Sequence, residues 1–88
     1  MRDLQITWRS EVVGHLQNVE WETVVLPSVS IKIEGRLVPR ESPATHEFLR
    51  RVAAHEALPV LINGWSDKSD EVGTLYDRPG GHAKVLIP

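Results

Sequence analysis

Two His-Glu dipeptides, His46-Glu47 and His55-Glu56, are the most chemically suggestive residues in this chain. An imidazole changes charge near neutral pH, and a neighbouring carboxylate can orient it or tune its basicity. Such pairs could serve as general acid and base, or could hold a metal ion. A metal site on one helix needs ligands three or four residues apart on a shared face. His46 and His55 are nine residues apart, on opposite sides of a helix, so one ion cannot reach both. What remains is His55 with Glu56 near a helix C-terminus, where His82 could join them in a pocket. Glu56 projects onto the apolar side of a regular helix. Either the helix ends before it, or its carboxylate lies near the core with a partner such as Arg36.

Other chemistries lack their residues. The chain has no Cys, which removes disulfides, thiolate zinc sites, iron–sulfur clusters and a cysteine nucleophile together. Its serines sit in neither a G-x-S-x-G nor an S-x-x-K setting. Asp67, Asp70 and Glu71 resemble a calcium loop in composition, without the alternate spacing and central glycine such a loop requires. Pro79-Gly80-Gly81-His82 precedes no helix, so it reads as a turn and not as a phosphate cradle. No catalytic set, metal or cofactor is expected. Arg36, Arg40, Arg50 and Arg51 form the one local excess of positive charge and, with Trp65, a candidate surface for a protein partner. The net charge of −2 provides no basic stripe of the kind nucleic acid usually requires.

The element that positions most of these groups is a helix from Ser42 to about Ala57. Ser42 is suited to the N-cap and Pro43 to the first helical position, where its missing N–H costs nothing. Helical spacing sets Thr45, Phe48, Leu49 and Val52 on one face, and His46, Glu47 and Arg50 opposite. Glu47 precedes Arg51 by four residues, a favourable surface pairing. Leu58-Pro59 ends the segment, because a residue before proline is pushed out of the helical region.

Strands surround this helix. Leu4, Ile6 and Trp8 alternate with polar residues and share one face. Arg9-Ser10-Glu11 reads as a turn, and Val12, Val13 and Leu16 as a short return strand with Gly14 at a bulge or a close backbone approach. Val19–Val25 and Val29–Glu34 make a hairpin across Leu26-Pro27-Ser28. Its register sets Trp21 against Ile33, Thr23 against Ile31 and Glu22 against Lys32, and it opposes Glu20 to Glu34, a cost unless a cation such as Arg36 is near. Val60-Leu61-Ile62 runs as a buried strand to Trp65, then a polar loop over 66–71. Val72–Tyr76 and His82–Ile87 close a last hairpin around Asp77–Gly81. Trp8, Trp21 and Trp65 are expected in the core, Trp65 being the most exposed of the three.

The 88 residues thus read as one α+β domain, residues 1–88, of order ββββαβββ. About six to seven short strands form a largely antiparallel sheet with one helix packed on a face. No signal peptide opens the chain, and no apolar run approaches the roughly 20 residues that cross a bilayer, so a cytoplasmic location away from membranes is expected. The functional expectation is a non-enzymatic interaction module that pairs with a protein partner or with itself, as a homodimer, through an exposed sheet edge. The rival expectations are a small enzyme using His55 and Glu56, and a weak nucleic-acid or phosphate binder using the four arginines.

Overall fold

The computed structural model describes residues 3–25, 28–65 and 70–88. Six antiparallel strands close into a barrel: β1 (Leu4–Trp8), β2 (Glu11–Val24), β3 (Ser30–Pro39), β4 (Leu58–Asn63), β5 (Glu71–Arg78) and β6 (His82–Ile87). Helix α1 (Pro43–Ala53) links β3 to β4, and a single 3-10 turn, Pro79–Gly81, links β5 to β6. The order around the barrel is β1-β2-β3-β6-β5-β4. Closure runs through Gln5 opposite Asn63, Ile6 opposite Ile62 and Thr7 opposite Leu61. The α+β class and antiparallel pairing therefore hold. The open one-faced sheet does not, and the chain order is βββαβββ.

The lost strand is explained by β2. Its 14 residues cover what reads in sequence as two strands, because two irregularities interrupt the alternation. The first lies where Ile6 faces Gly14 and Thr7 faces Val12, leaving Val13 as the extra residue. The second lies between Gln17 and Glu20, around Asn18 at φ 54°. A bulge bends and twists a strand, which lets one strand serve two walls of a barrel. Gly14 sits at the first bend and also at a close approach, since a Cβ there would overlap the Val38 carbonyl. The preceding turn is a two-residue hairpin at Arg9 and Ser10, both at positive φ, with Trp8 opposite Glu11.

Alternation fills the interior. Leu4, Ile6, Leu16, Ile33, Leu75 and Val85 are fully buried, each on the inward face of its strand. At one end of the barrel Trp8 lies 5.7 Å from Phe48, ring centre to ring centre, and α1 covers that end with Thr45, Phe48 and Val52. The first turn of the helix is held from outside itself. Ser42 makes no side-chain cap; its hydroxyl shares a 2.7 Å hydrogen bond with that of Thr45. The Ala44 N–H donates instead to Glu11 Oε2 at 3.0 Å, a carboxylate placed where the helix dipole favours negative charge.

The helix stops at Ala53, short of the expected Ala57, because His55 adopts φ 61°. The His55 N–H donates to the Val52 carbonyl at 3.0 Å and the Glu56 N–H to that of Arg51 at 3.1 Å. This pair of bonds is a Schellman ending with histidine in the left-handed position that glycine usually fills. At the opposite end of the barrel β2 continues past Leu16, its last partner on β1, and makes with β3 a hairpin arm whose β3 strand stays in the wall, paired with β6 from Ile31 opposite Ile87 to Arg36 opposite His82. No helix among the described residues is long and apolar enough to cross a membrane.

Candidate functional site

The arm is built by the hairpin register expected from sequence. Glu20 lies opposite Glu34, Trp21 opposite Ile33, Glu22 opposite Lys32 and Thr23 opposite Ile31. Leu26 and Pro27 of its loop lie outside the described residues. Lys32 Nζ and Glu22 Oε1 are 2.7 Å apart, and this bond holds the Lys32 ammonium above its usual range. The cation that reaches Glu34 is Arg78, at 3.7 Å; Arg36, the expected one, lies opposite Gln17 and His82. Glu20 has no ion pair among the described residues.

Beyond Leu16, no strand among the described residues pairs with β2 on the side away from β3. Strand geometry then directs the N–H and C=O groups of alternate residues outward along this edge. Trp21 stands on the arm at 59% exposure, with Val25 at 64% and Val29 at 68%. The expectation that Trp21 is core is overturned: its register partner Ile33 is fully buried, but Trp21 lies past the end of β1. Its ring meets Trp65 edge-on, centroids 5.5 Å apart. Trp65 is half-buried and Trp8 alone of the three is core.

A second site lies at the helix-covered end. His55 Nδ1 is 3.4 Å from Asp77 Oδ2. Asp77 and His82 line one cleft of about 230 Å³ with Leu37, Leu49 and Val52. His82 Nδ1 lies 3.3 Å from the Pro79 carbonyl, as a donor to it. Glu56 turns away to Arg51, 3.6 Å distant, and so takes no part in the cleft; the helix ends before it. The arrangement offers a histidine oriented by a carboxylate, which is half of a nucleophile-activating set. Among the described residues no hydroxyl or thiol lines the cleft, and the His55 side chain is 79% exposed, so water competes for it.

The four arginines do not gather. Arg50 and Arg51 both bond Glu47, and these bonds, that from Arg50 first, hold its carboxyl at about 2. Arg51 also lies 5.8 Å from the Trp8 ring centre. Arg40 is at the far end of β3, where its N–H bonds the Val13 carbonyl, and Arg36 is exposed on the barrel wall. His46 is exposed on α1. Asp67 lies outside the described residues, and among those described no cluster of three or more His, Asp and Glu could hold a metal ion. Sequence reading missed Asp77 as the partner of His55, and Glu11 as the helix cap, because both contacts bridge distant segments. For the arm it held one clue, the opposed pair Glu20 and Glu34.

Fold and sites together define a small antiparallel β-barrel covered at one end by one helix, with β2 running on past the end of its neighbour β1. No family model, curated protein or solved structure matches the chain.

Proposed function

We propose that this protein is a non-enzymatic protein-binding module whose contact element is the β2–β3 arm. The observation that carries this reading is the β2 edge beyond Leu16, left without a strand on one side among the described residues and flanked by exposed Trp21, Val25 and Val29. Closure into a barrel pairs most strand edges, and among the described residues the longest run left without a neighbour on one side is β2 beyond Leu16, which makes it a template for strand addition. Affinity capture with the natural chain, a Trp21→Ser, Val25→Ser variant and an Asp77→Asn variant tests it. The arm variant is expected to lose the specifically bound protein and the Asp77 variant to keep it. The opposite pattern, or equal capture by all three, removes the arm from the function.

A second reading rests on the 3.4 Å contact between His55 and Asp77 beside the His82 cleft. Here Asp77 orients His55 as a general base for a small substrate. Hydrolysis of activated esters by the natural chain, lost in both His55→Gln and Asp77→Asn, would favour it over the binding module.

A further inference from the structure

We infer that the occupant of the β2 edge is an extended segment of a partner protein in which basic and apolar side chains alternate. The inference rests on the arm reading above and adds the chemistry of the partner. An added antiparallel strand places its side chains directly opposite those of β2, with Cβ atoms about 4.5–5.5 Å apart on shared faces. One face of the β2 edge carries Glu20 and Glu22; the other carries Trp21 and Thr23. A partner strand matched to both faces must therefore alternate cations with apolar residues.

Glu20 makes the charge requirement specific. It is held in register against Glu34, and like charges directly opposite are destabilising. Arg78 approaches Glu34, while Lys32 is engaged by Glu22, so among the described residues a cation reaches one member of the opposed pair and not the other. On the side of Glu20 away from β3, no described strand pairs with β2. A lysine or arginine opposite it there supplies the missing cation, and a second one opposite Glu22 extends the row.

The same residues argue against a second copy of this chain. Two-fold pairing of β2 centred on Glu20, Trp21 or Glu22 sets Glu20 against itself, Glu20 against Glu22, or Glu22 against itself. Each register opposes carboxylates. Centring on Val19 or Thr23 avoids this, but the first falls on the irregularity at Asn18 and the second runs Glu20 past Val25, which shortens the overlap. Acidic residues on an edge strand are a known means of blocking such self-pairing, and a basic strand turns that block into selectivity.

The test uses the full chain and three probes at low and high salt. One is a ten-residue peptide alternating arginine or lysine with valine. The second carries glutamate at the cationic positions. The third is the chain alone, followed by sedimentation. Backbone amide exchange across residues 17–24 reports strand addition. The expected result is that the basic peptide slows alternate amides there, binds at least about tenfold more tightly than the acidic one and weakens with salt. A Glu20→Lys, Glu22→Lys variant, altered only at exposed positions, reverses that preference. Equal binding of both peptides with the same amides slowed overturns the charge inference and leaves the arm reading standing. Slowed amides on concentration-dependent dimerisation, without peptide, do likewise and name a second copy as the occupant. If neither peptide slows these amides the inference fails, and the capture experiment with the arm and Asp77 variants then decides separately whether the arm binds anything.

Discussion

The indole of Trp21 stands edge-on to that of Trp65, with centroids 5.5 Å apart and planes 80° apart. This contact ties the outer part of β2 to the segment that leaves β4, so β2 is braced there on the side away from β3. Edge-to-face rings add about 0.5–1.5 kcal/mol beyond burial. Trp21→Ala is accordingly expected to cost about that much in urea unfolding, while reducing affinity for a strand-adding partner by at least about tenfold. A stability loss above about 3 kcal/mol would place Trp21 in the core's cooperative packing, contrary to its exposure.

The Glu11 to Ala44 bond joins the start of β2 to the first turn of α1 across 33 residues of chain. Glu11→Ala is expected to destabilise by about 1–2 kcal/mol, through loss of a charged acceptor at a helix N-terminus. Glu11→Gln, which keeps an acceptor but not the charge, should cost about half as much. Chemical denaturation of the two variants separates these contributions, and an unchanged midpoint for both would show that the carboxylate holds nothing.

His55 ends the helix at φ 61°, where a side chain costs about 1 kcal/mol relative to glycine. His55→Gly should therefore raise stability by about 0.5–1 kcal/mol, since the exposed pair with Asp77 contributes little to offset it. A loss of stability in His55→Gly, matched by a similar loss in Asp77→Asn, would show instead that the His55–Asp77 contact outweighs the backbone strain.

Glu47 is held at about 2 by Arg50 and then Arg51, against an ordinary value of 4.5. A carboxyl whose pKa is depressed on folding contributes stability that is present above its unfolded value and lost as pH falls towards the folded one. Stability should thus decline between pH 4.5 and about 2 in part through this group. Glu47→Gln should flatten the decline in thermal unfolding followed across that window. An unchanged profile would assign the acid sensitivity to other carboxyls.

Much of the local structure is written in the sequence. The alternation of Leu4, Ile6 and Trp8, the helical face of Thr45, Phe48 and Val52, and the register of Glu22 with Lys32 all follow from side-chain period and pairing. Closure of the barrel is not written there, because period tells which face of a strand is buried and not which strand lies beside it. The bulges at Val13 and Asn18 disguised β2 as two strands for the same reason: a single extra residue resets the alternation. The candidate sites depend on that missing information. Trp21 has the pattern of a core residue and is exposed only because β2 outruns β1. His55 finds Asp77, and not its neighbour Glu56, because the left-handed residue at the helix end turns the chain between them.

The edge of β2 beyond Leu16, which no described strand pairs on the side away from β3, is tested most directly by amide exchange of the free protein at low concentration. Alternate amides within residues 17–24, those directed away from β3, should exchange at close to unprotected rates, while their neighbours bonded to β3 and the buried strands β1 and β6 stay slow. Uniform protection along residues 17–24 would mean that the edge is already covered within the chain, and the arm would not be a site for an incoming strand.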